Sequence, residues 1–233
     1  MLNPFDSFDK IYCINLKERE DRWLESQQEF SRLDIFNYER FEGVRVQGKK
    51  DQRTNNQAGC TQSYCNVIDD SLKKGFNTIL ILEDDFSFLD DKKVLFDSIN
   101  LAISQLPEDW DALYFGGSVS TSFHSIPVEK YSDNLLKLNC ALATHSILYS
   151  RRGLVKLREM FKDDLNWSDT IAERYSVFDV FLAKDYLSVA NCYITSELLC
   201  YQRASFSDID GCDRNYRGYM TDLFTRNTSS INL

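Results

Sequence analysis

Residues 79 to 88 read ILILEDDFSF, and this run constrains the fold more than any other in the chain. Four branched apolar residues in succession, without polar alternation, make a strand buried on both faces. Such a strand needs a layer of helices above it and another below. At its C-terminal end Glu83, Asp84 and Asp85 stand side by side. Three neighbouring carboxylates repel one another, so they call for solvent, a partner or a cation.

The flanking sequence supplies the layers. KIYCIN (10–15) reads as the first strand, followed by a helix over 19–33 with Trp23, Gln27, Phe30 and Leu33 at helical spacing. NYERFEGV (37–44) is a second strand, and Thr54 to Asn56 cap a helix running to Lys74, with Gly75 beyond its end. Residues 90–105 place Val94, Leu95, Ile99 and Ile103 on a helical pattern, and WDALYFGG (110–117) is a further buried strand closed by Gly116 and Gly117. The alternation predicts an α/β fold with a mainly parallel central sheet flanked by helices, which binds ligands at the carboxyl ends of its strands. ATHSILYS (143–150) continues as a strand, RRGLVKLREMF (151–161) as an amphipathic helix, and a helical patch surrounds Asp179. One domain is expected over 1–215, with the polar, weakly patterned 216–233 as a loop or tail.

Composition removes several function classes. A formal net charge of -9 argues against nucleic acid or an anionic membrane as partner, since both select basic surfaces. No stretch approaches the roughly 18 apolar residues of a spanning helix, and the first residues lack a basic segment leading into an apolar one. Seven cysteines without a CxxC pair indicate neither a disulfide framework nor a zinc ribbon. A reducing, cytoplasmic setting is the expectation.

The acidic triplet has two readings from its residues alone. It could be a solvated set of carboxylates leading into the next helix. Alternatively, two acidic side chains with one residue between them at a strand end can converge on a hard divalent cation, Mg²⁺ or Mn²⁺, whose shell is completed by water and phosphate. Such an ion offsets charge on a departing diphosphate as a Lewis acid.

At this point the chain resembles glycosyltransferase family 25, the group of lipooligosaccharide galactosyltransferases and collagen β-galactosyltransferases. CINLKEREDRW is similar to the family's opening strand and spaced arginines, GCTQSYC to its G-C-x-x-S-H stretch, and Leu82 to Asp85 to its L-E-D-D motif. LYFGG, THSILYSRRGLVKL, VFDVFL and YQRASFSDIDG resemble later family segments, all in order from about residue 10 to residue 211. One departure stands out: Tyr64 occupies the place of a family histidine.

The resemblance implies a GT-A fold, a nucleotide-sugar donor, UDP-galactose above all, a divalent metal, and inversion as a hexose passes to a hydroxyl of a glycan or glycoprotein. It also implies residue roles. Glu83, Asp85 and His145 are expected at the metal, with Glu83 alternatively at the donor ribose and His145 alternatively a hydrogen-bonded structural group. Asn15, Leu16, Arg19, Arg22, Gly59, Ser63, Asp84, Gln202, Ser207 and Asp208 are expected around the donor, with Asp84 also fit to brace the site. Asp179, an aspartate in an apolar segment, is expected as the base, or as a metal ligand instead. Arg19 and Arg22 could equally form ion pairs with Glu18 or Glu25. Acceptor contacts are expected from loops 45–57 and 117–137.

Two alternatives accompany this reading. A nucleotidyltransferase would use similar acidic-metal logic, yet LKERED after the first strand is not a glycine- and lysine-rich phosphate loop. A catalytically degenerate scaffold would keep the fold without turnover, and Tyr64 leans that way while the retained carboxylates lean against it.

Overall fold

The computed structural model describes residues 2–209, 211–229 and 231. A 3₁₀ turn (Pro4–Ser7) leads into β1 (Lys10–Asn15), α1 (Glu20–Arg32), β2 (Tyr38–Glu42), α2 (Gln52–Lys74) and β3 (Thr78–Glu83). There follow β4 (Phe86–Phe88), α3 (Lys92–Ser104), β5 (Ala112–Tyr114), β6 (Ser118–Val119), β7 (Val128–Lys130), β8 (Leu135–Leu138), β9 (Ala141–Leu142) and β10 (Ser146–Ser150). The remainder comprises α4 (Arg151–Glu159), α5 (Trp167–Tyr175), α6 (Phe178–Phe181), a π turn (Leu182–Tyr186), α7 (Leu187–Val189), β11 (Cys192–Thr195), β12 (Cys200–Gln202), β13 (Ser205–Ser207), β14 (Cys212–Arg214) and α8 (Tyr216–Thr228).

Eight strands form the central sheet in the order β2-β1-β3-β10-β5-β11-β8-β7. β1 pairs in parallel with β2 and β3, and β5 with β11, whereas β10 runs antiparallel between β3 and β5. The α/β architecture with a large, mostly parallel sheet between helices is therefore present, with a reversed strand at its middle and an antiparallel β7–β8 edge.

The apolar run of β3 is explained by burial on two sides. Ile79 and Ile81 enter one core layer with residues of α2, α4, α5 and α6, and Leu80 and Leu82 enter the other with Phe30 of α1 and Leu95, Phe96 and Ile99 of α3. All four are fully buried, and each contributes about 1.5–3 kcal/mol by leaving water.

Local chemistry sets the boundaries. The α2 cap is Asp51, whose side chain accepts from Thr54 N at 2.8 Å, so Thr54 is a donor inside the first turn rather than the cap. Gly75 closes α2 at φ 79°. β10 starts at Ser146 rather than 143 because Ala143 turns the chain at φ 66°. Fully buried Asp111 accepts from Lys156 Nζ at 2.6 Å and Asn191 N at 2.7 Å, tying α4 and β11 to the start of β5.

The clearest departure lies at the C-terminus. A loop or tail is expected over 216–233, but Tyr216–Thr228 forms α8, with Met220, Phe224 and Thr228 buried, while residues 230, 232 and 233 of that stretch lie outside the described residues. The composition is polar, but the few apolar residues fall on one side of the helix and anchor it beside β6 and β12. Among the described residues no helix is long and apolar enough to cross a membrane, and the seven cysteines are unpaired.

Candidate functional site

The carboxyl ends of β1 and β3 open into a cleft of about 390 Å³. Its lining includes Glu83, Asp84 and Asp85 from the end of β3, Asp179 from α6, Arg22 from α1 and Tyr64 from α2. Arg45, Arg203, Asp208 and the Tyr216, Tyr219 and Leu223 face of α8 complete it. The predicted triplet is therefore at the floor of a cleft, where the strand topology put it.

Each carboxylate has a different environment. Asp84 is clamped, receiving Arg22 Nη1 at 2.7 Å and Asn15 Nδ2 at 2.6 Å. Burial pushes its carboxyl above the ordinary range, while the Arg22 charge opposes that shift. Glu83 accepts from Thr144 Oγ1 at 2.7 Å, and the Tyr64 hydroxyl lies 2.8 Å from both Glu83 Oε1 and the Thr144 carbonyl. Loss of water, followed by the adjacent Asp85 charge, pushes Glu83 up to about 7.

Asp85 keeps its Oδ2 3.6 Å from Arg22 Nη1 and presents a buried Oδ1 without a hydrogen-bond partner. Asp179 accepts from Ala143 N at Oδ2, 3.1 Å away, and its Oδ1 is likewise buried and unpartnered. Burial raises the Asp179 carboxyl as well. Tyr64 joins these parts: its ring stacks on Phe178, the residue before Asp179, with centroids 4.8 Å apart.

The backbone of the triplet is held from the far end of the chain. Arg203 N donates to Asp85 O at 2.6 Å, its Nη2 donates to Asp84 O at 2.6 Å, and its Nη1 donates to Phe86 O. Three successive carbonyls are thus fixed by one residue just after β12, which itself pairs with β4.

Two unpartnered, buried carboxylate oxygens in one cleft are the donor chemistry a hard divalent cation selects. Asp85 and Asp179 therefore fit Mg²⁺ or Mn²⁺, with Glu83 adjacent. Among the described residues, however, no three His, Cys, Asp or Glu side chains gather as a metal cluster, so the Glu83, Asp85 and His145 trio does not assemble. His145 is fully buried outside the cleft lining, its Nε2 facing the Cys200 carbonyl at 3.2 Å, and burial lowers its affinity for a proton.

Several residues expected around the donor make hydrogen bonds within the chain. Asn15 is buried and braces Asp84 and the Arg19 carbonyl, outside the lining. Gly59 lies where a Cβ would meet Val44 O at 2.3 Å, and Ser63 donates to Gly59 O while accepting from Val44 N, so both dock the loop after β2 onto α2. Arg19 lies outside the lining and pairs with Asp21 and Asp208, neither of the partners expected for it. Arg22 points inward to Asp84, Ser205 Oγ and Phe206 O instead of into open space. Leu16, Ser63, Gln202, Ser207 and Asp208 do reach the lining.

Several lining residues had not been singled out. Arg45 and Arg53 belong to a local cluster with Lys49 and Lys50 in an otherwise acidic chain, a signal present in the sequence. Thr144 stands next to the matched histidine, and Tyr216, Tyr219 and Leu223 recur at i, i+3 and i+7. Arg203 carries no pattern of its own.

No family model and no curated protein matches the chain. Solved structures with similar arrangements include a mannose-1-phosphate geranyltransferase from Thermus thermophilus, at 9% identity and TM-score 0.46 over 80% of this chain and 72% of that one. A glycosyltransferase involved in glycosylation of the major capsid of PBCV-1 gives 12% identity and TM-score 0.40 over 80% and 91%. A197 from STIV gives 12% and 0.38 over 88% and 94%. Similarities this low assign neither family nor chemistry to the chain, which leaves the residues of the cleft to carry any functional reading.

Proposed function

We propose that the chain is an inverting, metal-dependent glycosyltransferase of the family 25 type on a GT-A fold, moving a hexose from a nucleotide diphosphate to a hydroxyl of a glycan or glycoprotein. UDP-galactose is the donor of choice on the family resemblance. One observation carries the reading: Asp85 and Asp179, which line a single cleft together with several arginines, each carry a buried carboxylate oxygen without a hydrogen-bond partner.

Asp85, with Glu83 or Asp179, would hold Mn²⁺ or Mg²⁺, which when bound supplies Lewis-acid charge against a leaving diphosphate. Arg22 and Asn15 hold Asp84, and Arg203 holds the carbonyls of 84–86, so the carboxylate turn is rigid before any ligand arrives. Arginines on the lining give an acidic chain a local surface for phosphate. Asp179, fixed at Oδ2 by Ala143 N, keeps Oδ1 for the proton of the acceptor hydroxyl. Its raised pKa brings it closer to the range of an effective base.

The test is UDP release from a panel of nucleotide sugars, with Mn²⁺ or EDTA, by wild type, Asp85→Asn and Asp179→Asn. Wild type is expected to turn over only with metal. Asp85→Asn should lose metal-dependent thermal stabilisation together with turnover. Asp179→Asn should still be stabilised by donor and metal while turnover falls by about 10²–10⁴-fold, the usual contribution of a general base. If no nucleotide sugar stabilises the protein or is consumed with either metal, the proposal is wrong. Pyrophosphate release from a nucleoside triphosphate would instead indicate a nucleotidyltransferase.

A further inference from the structure

At the rim of the cleft two arginines already hold an anion, and that anion belongs to the chain. Asp208 sends one carboxylate oxygen to Arg19 Nη1 and the other to Arg45 Nη2 at 3.2 Å, while Asn56 Nδ2 donates to its carbonyl at 2.5 Å. Each guanidinium keeps a carboxylate of its own as well: Arg19 bonds Asp21 at 3.0 and 2.9 Å, and Arg45 lies 2.5 Å from Glu18. Two positive charges therefore face three negative ones. With Asp208 in place a second anion meets net repulsion; without it, two neutral pairs remain, their guanidinium donors converging on one spot.

The Asp208 side chain is 26% exposed, that of Arg45 35% and that of Arg19 16%, so water reaches the contact and the Arg45 pair adds little stability. Asp208 follows β13 directly, in the connection to β14 that passes through Gly211 at φ 68°. A carboxylate chelating two guanidinium groups also presents its two oxygens as a phosphate group would.

We propose that Asp208 is a stand-in anion: it occupies an Arg19–Arg45 site whose ligand is a phosphate of the nucleotide diphosphate, and it is displaced when that ligand binds. The inference rests on the reading that the cleft takes a nucleotide diphosphate. It reverses the role expected of Asp208 as a residue that contacts the ligand, and the two roles differ in sign.

The experiment is calorimetric titration of UDP and of inorganic pyrophosphate, each with Mn²⁺, into wild type, Asp208→Asn, Asp208→Ala, Arg45→Met and the Arg45→Met/Asp208→Asn double variant. Both Asp208 variants should bind more tightly than wild type, on the order of fivefold, as expected for one like charge removed from a part-exposed site. The gain should vanish in the Arg45→Met background, because the two changes act on one site. In the wild-type chain, pyrophosphate should also speed amide exchange over residues 205–209, a readout that needs no variant. Equal or weaker binding by the Asp208 variants, a gain that persists without Arg45, or protection of 205–209 would each overturn the proposal. If wild type binds UDP and any of these contrary results follows, only the stand-in role falls. If no variant binds either ligand, the nucleotide reading falls with it.

Discussion

Asp85 and Asp84 are adjacent, equally buried and chemically alike, yet they have opposite fates. Asp84 has its charge matched by Arg22 and its other oxygen by Asn15, whereas Asp85 keeps a buried oxygen without a hydrogen-bond partner. The LEDD pattern told where the carboxylates would be, and strand alternation told that Asp84 would point away from its neighbours. What it could not tell is that His145 would be consumed by the Cys200 carbonyl, because that partner lies 55 residues away. Gly116 belongs to the same packing: a Cβ there would sit 2.0 Å from Cys200 O and 2.7 Å from His145 Nε2. Gly116→Ala is expected to cost about 1–3 kcal/mol or more through overpacking, read as a lower urea midpoint with an unchanged slope. Tyr64→Phe should cost about 1–2 kcal/mol by the same assay, since it removes the hydroxyl between Glu83 and the Thr144 carbonyl and leaves that buried carbonyl short of a donor.

At the scale of elements, Asp111 shows what a buried charge does when one of its oxygens is held by two donors. It joins α4, β5 and β11 through Lys156 and Asn191, with Arg152 at 3.5 Å. Asp111→Ala leaves Lys156 facing a buried gap and is expected to cost about 3–5 kcal/mol, lowering the melting temperature by about 2–4 °C per kcal/mol in a chain of this size. The alternating elements of the first half were legible because their strands are continuous apolar runs and their helices carry stripes at 3.6 spacing. Helix α8 was missed for a physical reason. Met220 and Phe224 are its fully apolar anchors on the core side, and Tyr219 on the cleft side stays 56% exposed, so its composition resembles that of a loop. A chain ending at residue 215 should therefore lose the cleft wall as well as core contacts, measurable as a lower melting temperature together with weaker UDP binding.

Over the whole molecule, the charge balance is set by pH through the cleft floor. Glu83 in the metal-free protein is pushed up to about 7 from an unfolded value near 4.5 by burial and by Asp85. A group raised on folding contributes stability that is complete below its unfolded pKa and is lost as pH climbs through the folded one. In EDTA the melting temperature is therefore expected to fall as pH rises from about 5 to about 8, and Glu83→Gln should flatten that decline. A decline of the same size in Glu83→Gln would remove Glu83 as its source.

The reversed strand β10 has a consequence for how this chain leaves the ribosome. β3 and β5 are not paired with each other; β10 lies between them, β5 is completed on its other edge by β11, and β8 finds its inner neighbour only when β11 arrives. A nascent chain that has emerged as far as Tyr114 holds β3 and β5 with unpaired edges, and these stay open until Ser150 and then Thr195 follow. Synthesis at about 5–20 residues per second makes that interval several seconds long. During it the ILIL segment is the region most in need of a chaperone, and slowing translation just after codon 114 should lower the soluble yield more than slowing it after codon 195.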